Sequence, residues 1–543
     1  MDMSGAHETV SNQTAPADPN YFTHPKYAGW IYAHIALMTT AWFGILPIGV
    51  MLSVARSKLT LPVQLLFHTA NGLGVFTSIV YDARTPDLYP NNSHHKLGWA
   101  VTWIAGAWTF MALVNLYTAR SVKFPEATYQ PVTSQAMAQH QQLQDFRLPR
   151  HDYSCQDSLH QKPEEPFEPQ QPHGEDHEDD VNSDEQEKRG FLHGTSVDRF
   201  LSRSVPRFAV GRTLTMLNIF HTILERSILV LGYTAVLTGI VVYSGIMHSK
   251  SGLLNGLAHW IKGSIFVWYG LLTLGRWMGA FQDYGWAWNV KPPHPLVSRF
   301  ASRMPSAEFV ESFVIWLYGA SNVWLEHLTA WGQAWTATDI EHLSITFMFF
   351  GGGLLGMLIE SSKTRDMLNT SILMKKEDSV RFGGRMEQQR EEWELPKTYK
   401  TSLNPLPGLV ILLLGLMMSA HHQDSMVSTM LHGQWGSLFV GFALARAVTY
   451  IMHYLSPPTS HFPSRPPSEL VSSFCLIAGG FIFMGSSKDP VSRLERNHLD
   501  AMFVFTITMG ATAALMAWTV ATFAIKGWAA RRESRTAGGP ILS

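Results

Sequence analysis

Stretches of about 20 residues almost free of charge recur along most of this chain, and that recurrence limits its fold more than any other feature of its sequence. A hydrocarbon core about 30 Å thick is crossed by a helix of about 20 apolar residues, because each residue rises about 1.5 Å and every backbone polar group must be satisfied within the segment. Eleven segments qualify: 28–53, 62–81, 95–118, 213–246, 254–280, 306–328, 339–360, 406–424, 435–455, 468–487 and 498–526. The sequence therefore predicts an all-α polytopic membrane protein of about eleven spans, with membrane lipid as its first partner. A mean hydropathy of +0.01 averages these spans with one polar block and describes neither. The formal net charge of -1 supplies no basic footprint, so nucleic acid is excluded as a partner. The 2 cysteines, Cys155 in the polar block and Cys475 in a span, argue for neither a disulfide framework nor a cysteine metal site. Residues 1–25 contain no basic or apolar region of a signal peptide, so the first span is expected to direct insertion.

The polar block over 121–210 is rich in Gln, Pro, His and acid, with Glu175, Asp176, Glu178, Asp179 and Asp180 close together, and cannot bury a core. It predicts this organisation: an exoplasmic tail (1–26), front spans (27–118), a disordered acidic cytoplasmic linker suited to a protein partner (119–212), the rest of the front unit (213–280), a C-terminal membrane domain (281–527) and a cytoplasmic tail (528–543). Basic residues are retained on the cytoplasmic side. Arg56 and Lys58, the arginines 199, 203, 207 and 212, Lys291 with Arg299 and Arg303, Lys363 with Arg365, and Arg531 with Arg532 all fall on one face by strict alternation. The N-terminus is then exoplasmic or lumenal and the C-terminus cytoplasmic, in the plasma membrane or an endomembrane. The sequons at Asn12 and Asn91 lie outside, and a third at Asn369 lies inside.

Four histidines of the front unit occur at matched depths. His34 sits about one turn inside the outer end of the first span, and His95 lies at the outer start of the third. His68 and His221 lie similarly inside the inner ends of the second and fourth. Facing imidazoles in a helical bundle are what a six-coordinate haem iron requires, so two stacked sites are expected, with His34 and His95 on one iron and His68 and His221 on the other. His94 is the alternative to its neighbour His95, which lies deeper in the span. Gly72 and Gly98 fall where a macrocycle could approach the backbone, and Arg226 is placed to meet a haem propionate.

The pattern of His34, Met38, Trp42, Pro47, Gly49 and Arg56, then His68, then the His-Lys-x-Gly of 95–98, resembles the cytochrome b561 family, particularly the haem domain found attached to DOMON modules. That resemblance covers 27–118 and, more weakly, 213–280. It implies a four-helix core with two b haems held by four histidines, passing electrons between a small-molecule reductant on one face and an acceptor on the other. The family's first helix and its DOMON module have no counterpart, and the linker interrupts the core. The rear motifs NVWLEHL (322–328), DIEHLSITFMFFGGG (339–353) and MMSAHHQDSMVSTMLHGQWG (417–436) resemble the C-terminal domain of a fungal family of Ytp-type integral membrane proteins, described as similar to mitochondrial electron-transport proteins.

In the rear unit, His327, His342, His421, His422 and His432 gather at the outer face with Glu326 and Glu341. Asp339, Asp500 and His498, and Met417, Met418, Met426, Met430 and Met484, lie near that level. Imidazole with carboxylate suits zinc, copper or iron, so a second transition-metal site is expected there, whereas an ordinary interfacial belt explains the gathering without one. Arg446 lies inside a span, where a charge normally pairs or lines a polar pathway. Glu308 and Glu311 are expected in the solvated cytoplasmic interface, and Gly351 to Gly353 are expected to let helices pack closely. Transmembrane electron transfer by haem b, with a link to metal reduction, is the leading function. A transition-metal or proton transporter or sensor, and a non-catalytic scaffold, are the alternatives.

Overall fold

The computed structural model describes residues 20–121, 212–248, 250–322, 334–381, 401–421 and 423–536, together with Gly332, Pro396 and Tyr399. Helices are the only regular elements among them. The principal ones are α1 (Ala28–Val54), α2 (Thr60–Asp82), α3 (Ser93–Ser121), α4 (Arg212–Ser244), α5 (Lys250–Met278), α6 (Ala307–Asn322), α7 (Ala337–Glu360), α8 (Leu406–Ala420), α9 (Met426–Leu455), α10 (Ser468–Gly485) and α11 (Ala501–Thr536). A helix stands at each of the expected positions, and 8 of those described are long and apolar enough to cross a membrane. The remaining three are α5, which carries Lys250, Lys262 and Arg276, and α6 and α8, of 16 and 15 residues. The chain is an integral membrane protein. The linker expected over 119–212 lies almost wholly outside the described residues.

The chain divides into two compact units, Met1–Ala100 with Val230–Ser543, and Val101–Leu229. In the larger unit the helices approach through small residues, the arrangement lipid favours because apolar tails give helices no hydrophobic reason to associate. A Cβ added to Gly263 of α5 would lie 2.6 Å from the Gly480 carbonyl of α10, and Ser473 Oγ of α10 donates to the Gly270 carbonyl at 2.8 Å. Of the glycine run in α7, Gly353 meets the Trp316 backbone of α6 and Gly352 meets Val410 of α8, while Gly351 faces open space. Trp435, Phe439, Phe442, Leu476 and Phe483 form the centre of the core, with Phe266 and Phe439 ring centroids 4.2 Å apart.

Helix α1 is interrupted by a π-helical turn over Thr40–Ile45, followed by Leu46 and Pro47. Proline has no N–H to offer the carbonyl four residues back. That carbonyl, Phe43 O, instead accepts the indole N–H of Trp518 from α11 at 2.7 Å. Further along α11, the Glu533 carboxylate accepts from Ser57 Oγ and the Lys58 backbone N–H, both at 3.0 Å, just past the end of α1.

In the smaller unit, residues 101–121 of α3 and 212–229 of α4 supply a buried set that includes Trp108, Ala105 and Ile228, each fully inaccessible.

Candidate functional site

The front histidines are best read from their hydrogen bonds. His34 Nδ1 lies 2.9 Å from the Gly74 carbonyl of α2. A carbonyl only accepts, so Nδ1 carries the proton and Nε2 keeps its lone pair. Opposite it stands His94, whose ring centroid is 6.4 Å from that of His34 at an interplanar angle of 77°. His94 Nδ1 is 3.2 Å from Thr238 Oγ1, and that hydroxyl spends its own hydrogen on the Ala235 carbonyl at 2.9 Å. The hydroxyl must therefore accept from His94, which fixes the same tautomer and again leaves the lone pair on Nε2. Thr238 and Gly239 form the seat for this imidazole, since a Cβ on Gly239 would come within 3.0 Å of His94 Cε1.

His95 is exposed and joins the Asn92 side chain only through its backbone N–H, at 3.0 Å. The ring brought to His34 is thus that of His94. Below the pair, Trp42 is buried, donates from Nε1 to Asn71 Oδ1 at 2.9 Å and occupies the space that Gly232 leaves on α4. Gly74 meets Met38, whereas Gly72 and Gly98 have nothing within 4 Å of an added Cβ. His68 is half-buried beside Phe67, with ring centroids 5.1 Å apart.

In the smaller unit, His221 stacks on Trp108 with centroids 6.4 Å apart and planes 24° from parallel. Its Nε2 is buried without a hydrogen-bond partner, which an axial ligand to a metal would relieve. Glu225, one turn on, is buried and Arg226 is exposed.

A buried network of charges lies elsewhere in the larger unit. Arg276 of α5 donates from Nη2 to Glu308 at 2.7 Å and from Nη1 to Glu311 at 2.8 Å, both on α6. Arg446 of α9 donates from Nη1 to the other oxygen of Glu311 at 3.3 Å and from Nε to Glu469 of α10 at 2.8 Å. Thr449 Oγ1 also donates to Glu469 Oε1, at 2.8 Å. The Trp288 indole lies under both guanidinium groups, 4.3 Å from Arg276 Cζ and 5.3 Å from Arg446 Cζ. All five charged residues are at most 6% exposed. This corrects the expectation of a solvated interface for Glu308 and Glu311: guanidinium groups from α5 and α9 meet them inside the bundle.

Two ring pairs occur among the described rear histidines. His342 and His421 have centroids 6.5 Å apart, and His421 Nδ1 lies 3.3 Å from Glu341 Oε2, with the glutamate side chain 58% exposed. His432 is buried, bonds the Ser428 carbonyl through Nδ1 at 2.8 Å and faces His259 of α5 at 6.4 Å. Among the described residues no group of three or more His, Cys, Asp or Glu could hold a metal ion. Glu326, His327 and His422 lie outside the described residues. Asp339 forms a capping box with Thr336, and Asp500 Oδ1 accepts from the Phe503 N–H at the start of α11. Met484 is buried beside Tyr233 and Ser264, while Met417, Met426 and Met430 are exposed.

Comparison with known proteins gives two matched segments, and His221, Glu225 and Arg226 lie between them. Residues 231–527 match the family described as protein YTP1-like, C-terminal, and residues 16–118 match a domain of unknown function, DUF2427. An uncharacterized membrane protein of Schizosaccharomyces pombe is 36% identical over 547 residues, covering 98% of this chain and 100% of that protein. The chain belongs to the YTP1-like family. An uncharacterized membrane protein of Saccharomyces cerevisiae is 37% identical to it over 51% of this chain and 43% of the relative. Protein YTP1 of the same yeast is 23% identical over 47% of this chain and 43% of its own length. No solved structure gives a significant match. Within this YTP1-like protein the arginine–glutamate network lies wholly inside the YTP1-like segment. His34 and His94 lie in the N-terminal one, while Thr238 and Gly239, which seat His94, come from the YTP1-like segment.

Sequence reasoning passed over Arg276, Glu469 and His259. Each is a polar residue inside a long apolar segment, the signal that drew attention to Arg446.

Proposed function

We propose that this YTP1-like protein is a b-type cytochrome that carries electrons across its membrane, with His34 and His94 as the residues that would hold one haem. The observation that carries the reading is the pair of imidazoles at 6.4 Å, both with the proton on Nδ1 and the lone pair on Nε2. An imidazole nitrogen lies about 2 Å from a metal it ligates, so two rings on opposite sides of one iron have centroids roughly 6 Å apart. A bound haem supplies the one-electron change at iron that such transfer needs. The Gly74 carbonyl and the Thr238 hydroxyl hold each ring in the ligating tautomer and raise its basicity, the usual task of groups behind a metal ligand. Met38 and Trp42 keep water from the inner side of the pair. His221, with its buried unpartnered Nε2, is proposed as a ligand of a second haem. The electrons come from a small-molecule reductant and pass to an acceptor on the opposite face. The N-terminus faces the exoplasmic or lumenal side and the C-terminus the cytoplasm, as the basic loops favour.

The test is a reduced-minus-oxidised absorption spectrum of the purified full chain. A low-spin b-type spectrum is expected, with His34→Ala and His94→Ala losing the same component and His95→Ala keeping it. A chain purified without haem, or one in which His95 alone matters, sinks the assignment. Glycosylation at Asn369 in place of Asn12 or Asn91 would reverse the orientation.

A further inference from the structure

The arginine–glutamate network does not balance. Two guanidinium groups face three carboxyls, so one negative charge is left over if all three are ionised. A surplus charge buried in low dielectric is costly, and a protein normally avoids it by binding a proton or a counter-ion. A second observation points the same way. Glu469 is fully buried, and while its Oε1 accepts from Arg446 and Thr449, its Oε2 has no hydrogen-bond partner at all. Beside the network, Tyr450 Oη is likewise buried and unpartnered, and the Tyr269 hydroxyl faces the Glu311 carboxylate.

The network also borders a cavity. A cavity of about 330 Å³ is lined by Glu311 and Tyr269 at one end and by Asn322, His342 and Thr346 at the other. From Glu311 to Asn322 along α6 is roughly 16 Å at 1.5 Å per residue. Phe266, Ile315, Phe349 and Leu414 form its apolar walls, and Lys262 points a cation at the Tyr318 ring within them. The space is large enough to admit water, whose hydrogen-bond partners there are the polar groups at its two ends.

We propose that this network is a proton-binding site: Glu308, Glu311 and Glu469 share one exchangeable proton, which enters and leaves through the cavity past Glu311. The step is a simple protonation. A proton from water at the His342 end is passed along the cavity and adds to a carboxylate, leaving two carboxylates against two guanidinium groups. The groups that face the shared proton are Arg276 and Tyr269 from α5, Glu360 from α7, Arg446, Tyr450 and His453 from α9, and the three carboxyls themselves. His453 donates from Nδ1 to the Thr449 carbonyl at 2.9 Å and stacks on Trp288 at 5.2 Å. The proposal stands independently of haem in the front pair.

The experiment is infrared spectroscopy of the full chain in lipid nanodiscs, following the C=O stretch of a protonated carboxyl as H2O is exchanged for D2O. The wild type is expected to show that band at neutral pH and to shift it on exchange. One or more of Glu308→Gln, Glu311→Gln and Glu469→Gln should remove it, since a neutral amide replaces the neutral acid at little cost to folding. Ile315→Trp, which fills the cavity, is expected to slow the shift about tenfold or more, because exchange must then wait for local opening. A band that survives all three glutamine substitutions overturns the site. So does a wild type without the band, whether sodium chloride stabilises it over choline chloride, which assigns the surplus charge to a bound cation, or His453→Gln alone alters its pH dependence, which assigns the proton to the imidazole. An exchange rate untouched by Ile315→Trp overturns the route.

Discussion

The front imidazole pair and the rear ion network hold polar groups inside the same membrane protein by opposite means. At His34 and His94 each ring gives away its single proton to an oxygen of a neighbouring helix and keeps a lone pair uncommitted. At Arg276 and Arg446 nearly every charge is spent on another charge, and the indole of Trp288 seals the guanidinium groups from beneath. A neutral ring needs little compensation and can wait for a ligand. A charge cannot, so its partners must be built in. On the proposed reading, ligand chemistry belongs to the front pair, and structural cohesion, with one proton to spare, to the network.

That contrast can be broken most easily at Arg446. Replacement by Leu strands Glu469 and half of Glu311 in the bundle and is expected to destabilise the protein by about 3–5 kcal/mol, read by denaturant or thermal unfolding in detergent. Combining it with Glu469→Leu should restore part of the loss; a single variant that unfolds like wild type would place the network among dispensable features. Next in size is Thr238→Val, which removes the acceptor behind His94. Its expected effect is a haem affinity about 10–100-fold weaker, measured by titration of the apoprotein, with the spectrum of the bound form retained. His34→Ala sharpens the comparison from the other side: it should abolish a spectral component yet cost only about 1 kcal/mol of stability, the worth of one hydrogen bond. A loss as large as that at Arg446 would mean the pair is structural. Smallest of all is Glu341→Gln at the exposed Glu341–His421 contact, where solvent screening leaves less than about 1 kcal/mol to lose, as a double-substitution cycle with His421 would measure.

Apolar length was enough to locate a helix at every expected position, because a membrane imposes the same demand on each span. Depth along a helix, which is also a matter of counting, singled out His34. Rotation about the axis is not. His94 and His95 differ by one residue and so by about 100° in direction, and only the neighbouring Thr238–Gly239 surface decides between them. Glu308 and Glu311 were misjudged for a related reason. They open a span, where interfacial carboxylates are common, and their partners stand 32 residues away at Arg276 and 135 at Arg446. Matching intramembrane charges by sign and depth across all spans, Arg276 and Glu469 included, was the available clue.

The bond from Trp518 to the Phe43 carbonyl has a bearing on how the molecule is made. Its two ends are 475 residues apart, and Glu533 reaches the Ser57–Lys58 turn from still nearer the end of the chain. At roughly 5–20 residues per second, a ribosome needs on the order of 25–95 s to travel from one to the other. Throughout that interval the first helix stands in the bilayer without the indole N–H that its Phe43 carbonyl later accepts. A helix synthesised long after the first is the one that closes it, so the early span is complete only once a late one has been inserted.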